Sequence, residues 1–213
     1  MSSMGKRYKY LIFDIDGTLL DTEHAILCSL KDTLQDLLGK DVPAADLKFA
    51  LGIPGDVVLN RLGIYDTVPA KEIWYRHMQD YRTSIRLFDG ICESLEALKA
   101  AGYGMGIVSS KTRREYESDF AGPFGLDGYF RPVVCAEDAS RPKPAPDPLN
   151  ACLSMSGASA AETLYIGDAV YDSQCARSAG VDFGLAGWGN PACRDIVSDY
   201  VFGTPAELQD ILL

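Results

Sequence analysis

A chain of 213 residues with 47% hydrophobic and 23% charged side chains is too apolar to stay disordered and too evenly charged for a membrane-embedded protein; it is long enough for one large domain or a domain with a smaller insert. Thirty acidic residues against twenty basic ones give a formal charge of -10, which repels nucleic-acid backbones and anionic membrane surfaces, so that an anionic ligand needs a local positive site built from a metal, a lysine or aligned backbone N–H groups. The six cysteines (Cys28, Cys92, Cys135, Cys152, Cys175 and Cys193) are dispersed, with no C-x-x-C pair and no histidine cluster, and read as reduced, mostly buried thiols rather than a zinc site.

Short apolar runs rich in β-branched and aromatic residues recur at Tyr8 to Phe13, Met105 to Val108, Pro132 to Cys135, Thr163 to Ile166 and Val181 to Leu185, and read as strands buried on both faces. The apolar residues near the N-terminus, Tyr10 to Phe13, are too few for a signal peptide or a membrane span, and the expected location is the cytoplasm. From about Glu23 to Leu87 the strand-like runs disappear. Ile26, Leu27, Leu30, Leu34, Leu37 and Leu38 form an apolar helical stripe stopped by Gly39, and short helices follow around Leu47 to Leu51, Val57 to Leu62 and Ala70 to Ile85. Helical patterns end at Gly102 and Gly157, so strand and helix alternate as in a parallel α/β sheet. At the C-terminus, Thr204 reads as an N-cap, Pro205 as the first helical residue and Glu207 as the partner in a capping box. The expected fold is therefore a Rossmann-like parallel sheet core, residues 1–20 and 88–213, with a small all-helical cap over 21–87 inserted after the first strand.

Chemistry-bearing residues fall at the ends of these strands. The first strand runs into Asp14-Ile15-Asp16-Gly17-Thr18, two carboxylates two residues apart at the carboxyl edge where ligands bind in open α/β sheets. Charges so close repel unless a cation or a shared proton intervenes. Asp168 follows another strand, with Asp172 four residues on, and Asp14, Asp16 and Asp168 together would offer hard oxygen ligands suited to Mg2+. Each aspartate also has an ordinary reading as a turn or helix-capping residue. Ser109-Ser110-Lys111 after a third strand offers a hydroxyl and backbone N–H groups, and Arg141-Pro142-Lys143-Pro144 a lysine in a proline-stiffened loop.

In this order, Asp14 to Thr22, Gly106 to Lys111, Arg141 to Pro144 and Gly167-Asp168 with Asp172 resemble the four motifs of the haloacid dehalogenase superfamily. The likeness is to its phosphoglycolate phosphatase-like and β-phosphoglucomutase-like branch with a helical cap, and Leu87-Phe88-Asp89-Gly90 resembles the return from cap to core. That resemblance implies a magnesium-dependent phosphatase acting on a small phosphorylated metabolite. Asp14 would be the nucleophile and Asp16 the general acid and base. Asp14, the Asp16 backbone carbonyl and Asp168 would hold Mg2+, with Asp172 in the outer shell, and Ser109 and Lys143 would bind phosphoryl oxygens.

Ser110 and Lys111 would contact substrate, although Ser110 stands where many relatives have asparagine. Lys48 and Gly52, on or beside the cap loop Phe49 to Pro54, would meet the leaving group, with Arg61 a further cation. The substrate candidates are phosphoglycolate, pyrophosphate, a nucleotide and a sugar phosphate, and both monomer and homodimer fit. A phosphosugar mutase of the same fold is the nearer alternative, but its pattern has a histidine where this chain has Ile26, and His24 is out of register. The alternatives of another class are a non-catalytic phospho-accepting protein and a scaffold.

Overall fold

The computed structural model describes residues 7–189 and 196–213; Cys193 lies outside them. Strand β1 (Tyr10–Phe13) is followed by β2 (Leu20–Asp21), then helices α1 (Glu23–Leu38), α2 (Gly55–Arg61) and α3 (Thr67–Asp80), then β3 (Arg86–Leu87). The chain continues through α4 (Ile91–Ala100), β4 (Gly104–Val108), α5 (Arg113–Tyr116), a π-helical turn (Glu117–Ala121), α6 (Gly122–Phe124) and β5 (Val133–Val134). It closes with α7 (Asp147–Ser156), β6 (Thr163–Gly167), α8 (Val170–Ala179), β7 (Asp182–Ala186), β8 (Tyr200–Phe202) and α9 (Glu207–Leu212).

Strands β5-β4-β1-β6-β7-β8 form a parallel sheet in that order. Alternate side chains feed two cores, as the pleat requires. Leu11, Phe13, Ile107, Leu164 and Ile166 pack against Leu95 and Leu98 of α4 and Leu208 and Leu212 of α9. On the opposite face Ile12, Val108, Tyr165 and Phe183 meet Leu149 and Cys152 of α7 and Cys175 of α8. The sheet is therefore buried on both faces, the arrangement that its continuous apolar strands demand.

The helices between β2 and β3 have their own core of Leu27, Leu30, Leu34, Leu47, Ala50 and Val58, with Trp74 and Phe49 partly buried against it. The Trp74 indole donates to Ser29 Oγ at 2.9 Å, giving that buried ring a polar partner. Helix α1 stops at Gly39, in the left-handed conformation at φ 62°.

Several expectations are revised. The stripe on α1 is narrower than its leucines suggest, because Leu38, in the last turn, is 39% exposed. Leu47 sits in a 3-10 helix, Ala44–Ala50, rather than an α-helix. The expected strand at Pro132 to Cys135 pairs only through Val133 and Val134. Strands β2 and β3, paired antiparallel, and β8 escape detection because runs of two or three residues carry no readable period. The last helix begins at Glu207 rather than Pro205, since the Glu207 carboxylate accepts from the Gly203 N–H at 2.8 Å and the Glu207 N–H closes a turn onto the Thr204 carbonyl. Of the described cysteines, Cys135, Cys152 and Cys175 are buried and Cys92 is exposed, all as free thiols.

The narrowed stripe sets a contrast for chemical denaturation. Leu30→Ala, in the centre of the helical core, should cost about 2–5 kcal/mol of unfolding free energy, whereas Leu38→Ala should stay within about 0.5 kcal/mol.

Candidate active site at the carboxyl edge of the sheet

Strand register brings the acidic motifs together. Phe13 is level with Ile107 on one side and Ile166 on the other, so Asp14 leaves the sheet beside Val108 and Gly167, with Ser109 and Asp168 one residue further on. The Asp14 N–H donates to the Ile166 carbonyl at 2.9 Å, holding its backbone in line with the sheet. After Asp14 the chain winds through one turn, with the Leu19 and Leu20 N–H groups both donating to the Ile15 carbonyl. Gly17 makes that turn at φ +76°, and a methyl there would lie 2.1 Å from Asp168 Oδ2, so only glycine lets the two motifs approach.

Lys143 stands 3% exposed between the carboxylates, its Nζ 3.0 Å from Asp14 Oδ2 and 2.6 Å from Asp172 Oδ1. The Tyr165 hydroxyl completes the cluster, 2.9 Å from Asp172 Oδ1, 3.3 Å from Lys143 Nζ and 3.2 Å from the Val108 carbonyl. Asp172 Oδ2 accepts from the Ala169 N–H at 3.1 Å, so both of its oxygens are occupied. Oxygens of Asp14, Asp168 and Asp172 all lie within 4.8 Å of one another. Burial pushes the Asp14 carboxyl up to about 7, with repulsion from Asp172 and Asp16 outweighing part of the pull of Lys143. Burial, then Asp172 and Asp14, likewise hold Asp168 well above the usual carboxylate range. Lys143 is also raised above its ordinary value and stays charged: burial opposes its charge, but Asp14 and Asp172 more than restore it.

The donor set fits a hard divalent cation. Among the described residues, Asp14 Oδ1 and Asp168 Oδ1 are buried with no hydrogen-bond partner, an arrangement that costs several kcal/mol unless a cation completes it. The free oxygens belong to Asp14 and Asp168, while those of Asp172 are already used.

The other candidates divide. Ser109 is buried, and its Oγ accepts from the Lys111 N–H at 3.2 Å; Ser110 Oγ is buried without a partner. Asp16 Oδ1 makes no directed hydrogen bond but lies 3.1 Å from Lys111 Nζ. The ammonium of Lys111 is thus engaged with side chains of the protein. Asp16, Gly17 and Asp168 line a cleft with Asp21, Thr22, Glu23, Ile26, Leu51, Gly52, Phe88 and Gly189. Gly52 comes down onto the sheet edge, where a methyl would sit 2.4 Å from Ala169 Cβ. Lys48 stands exposed at the rim, paired with Glu23 at 2.9 Å, and Arg61 donates to the Tyr171 hydroxyl at 3.1 Å. Trp188 packs on the Asp14 turn, its indole donating to the Thr18 carbonyl at 2.9 Å. Sequence reading missed Tyr165; its signal was a tyrosine inside a fully buried strand, where a hydroxyl must find a partner.

A parallel α/β sheet whose carboxyl edge gathers strand-end aspartates, a buried lysine and a serine defines a class of hydrolase. The family model described as haloacid dehalogenase-like hydrolase matches residues 11–186, and the chain belongs to that family. A pyrophosphatase PpaX from Listeria innocua is 30% identical over 79% of this chain and 78% of its own. A phosphoglycolate phosphatase from Aquifex aeolicus is 27% identical over 96% of each chain. Among solved structures, a Geobacter sulfurreducens HAD-superfamily hydrolase of subfamily IA, variant 1, is 25% identical with a TM-score of 0.70 over 100% of both chains. No helix among the described residues is long and apolar enough to cross a membrane.

An acid whose pKa stands near 7 when folded and near 4 when unfolded binds more protons in the native state, so stability falls as pH rises between about 4 and about 7 and levels off above. In chelator-treated protein the melting temperature should therefore drop between about pH 5 and pH 8, and less so in Asp14→Asn. Millimolar magnesium should raise it more at the higher pH. A chelated wild type whose pH profile matches that of Asp14→Asn contradicts the uncompensated carboxylate at Asp14.

Proposed function

We propose that the chain is a magnesium-dependent phosphatase that hydrolyses small phosphate monoesters through a phosphoryl group carried on Asp14. One observation carries this reading: Asp14 has one oxygen pinned by Lys143 at 3.0 Å and the other buried without a partner. A buried carboxylate held in one orientation by a lysine, with a cation to take its second oxygen, is placed to act as a nucleophile.

Mg2+ would be held by Asp14, Asp168 and the Asp16 backbone carbonyl, with Asp172 ordering the outer shell. When bound, it supplies the positive charge that lets an anionic nucleophile meet an anionic substrate. In the first step Asp14 attacks phosphorus, the bond from phosphorus to the ester oxygen breaks, and Asp16 gives its proton to the departing alkoxide. In the second step water attacks the phosphoryl group on Asp14. Asp16 takes the water proton, and inorganic phosphate leaves with the Asp14 carboxylate restored. Ser109 and Lys143 bind the non-bridging oxygens, with Ser110 beside them, and the Lys143 ammonium offsets the charge that builds there.

The helices over 21–87 act as a cap that presents Gly52, Lys48 and the cleft side chains to the leaving group. Ile26 lines this cleft, at the position where the mutase pattern has histidine, which supports hydrolysis over transfer between sugar hydroxyls. The relatives named pyrophosphatase and phosphoglycolate phosphatase support pyrophosphate and phosphoglycolate as first substrates to try, with nucleotide and sugar phosphates beside them. The acidic surface and the small cleft support a soluble metabolite, met in the cytoplasm, over nucleic acid or a membrane.

Phosphate release from this panel should require magnesium and stop on chelation, and Asp14→Asn should lower it by more than about a thousandfold. A folded wild type that releases phosphate from none of these compounds overturns the reading.

A further inference from the structure

Two buried charges beside the site have no part in the steps above. Lys111 Nζ lies 3.1 Å from Asp16 Oδ1 and 3.7 Å from Asp119 Oδ2, and the side chains of Lys111 and Asp119 are only 7% and 3% exposed. A buried ion left alone costs several kcal/mol, and each of these buried charges offsets part of that cost for the other. Asp119 is delivered by the π-helical turn Glu117–Ala121, a wide turn of the kind that often marks functional sites. Its Oδ1 accepts from the Ser118 hydroxyl at 2.6 Å and lies 4.0 Å from Arg82 Nε, in the stretch leading from the helical insert to β3, which leaves Oδ2 for Lys111. The start of the same segment is fixed by a capping box, with the Thr112 N–H donating to the Glu115 carboxylate at 2.7 Å and the Glu115 N–H donating to Thr112 Oγ1 at 3.3 Å.

This chain of contacts reaches Asp16 from behind. Lys111 takes Oδ1 of Asp16, a residue that itself lines the cleft. Proton transfer to a leaving oxygen requires hydrogen-bond reach, and a side chain free to rotate spends most of its time out of reach. On the reading that Asp16 is the general acid and base, we propose that Asp119 is a positioning residue: it anchors Lys111, which holds the Asp16 carboxylate in place for proton transfer to the leaving group. Lys111 thereby serves Asp16 rather than gripping the phosphoryl group itself.

A misplaced acid matters most where the leaving group needs its proton. The test follows kcat/KM, which reports the transfer to Asp14 and not the water step common to all esters, for 2,4-dinitrophenyl, 4-nitrophenyl, phenyl and ethyl phosphate in wild type, Asp119→Asn, Asp119→Glu and Lys111→Met, with folding checked by circular dichroism. Asp119→Asn and Lys111→Met should lose about ten- to a hundredfold on phenyl and ethyl phosphate but less than about threefold on the dinitrophenyl ester, part of the range that general-acid catalysis supplies. Asp119→Glu should recover part of the loss, and the inhibition constant of inorganic phosphate should be unchanged in Lys111→Met. Equal losses across the series, no loss, or weakened phosphate inhibition in Lys111→Met would overturn the positioning role in an active enzyme. If Asp119→Asn fails to fold, Lys111→Met and Asp119→Glu decide the matter on the same criteria. A wild type inert on every ester would instead sink the phosphatase reading, and the positioning role with it.

Discussion

The ammonium of Lys143, 3.0 Å from Asp14 and 2.6 Å from Asp172, is the contact on which the rest of this sheet edge depends. Three carboxylates buried within a few ångströms of one another would otherwise repel each other in a medium that screens charge poorly. Lys143 offsets part of that repulsion and fixes two of the three in orientation. Tyr165, rooted in the middle strand β6, holds the lysine and Asp172 together from below. Burial first, and then the neighbouring carboxylates, still hold Asp14 and Asp168 above the usual carboxylate range despite Lys143. Among the described residues Asp14 Oδ1 and Asp168 Oδ1 have no hydrogen-bond partner, which is the physical reason these oxygens fit a divalent cation.

The helical insert is drawn onto the same edge by contacts from several directions. Gly52 meets Ala169 at the start of α8, and Arg61 reaches Tyr171 on that helix. On the far side, Arg114 of α5 pairs with Glu72 at 3.1 Å and lies over the ring of Tyr75, both on α3. Exposed pairs of this kind contribute little individually.

Much of this was legible in the sequence, for reasons that differ by element. The central strands announce themselves because burial on both faces demands unbroken apolar runs, and α1 because its stripe repeats over four turns before Gly39. Asp14, Asp168 and Ser109 could be placed together because each directly follows a strand, and parallel strands share one carboxyl edge. What stayed hidden depends on partners far apart in the chain. Tyr165 reads as one more apolar strand residue until β6 is seen over Asp172. Asp119 carries no signal in the sequence until the π-helical turn brings it within 3.7 Å of Lys111. The shift of α9 to Glu207 turns on which backbone N–H, that of Gly203 or Thr204, takes the glutamate, a choice the residue types leave open.

The central claim is a covalent phosphoryl group on Asp14, and rapid acid quenching during turnover tests it most directly. Wild-type protein should be mixed with magnesium and a turning-over phosphate ester, quenched in milliseconds, digested and mapped by mass spectrometry. The account predicts a phosphoryl mass on the peptide carrying Asp14 that disappears when substrate is exhausted and never forms in Asp14→Asn. Steady turnover with no phosphoryl group on Asp14 at any quench time, together with undiminished turnover by Asp14→Asn, would contradict it.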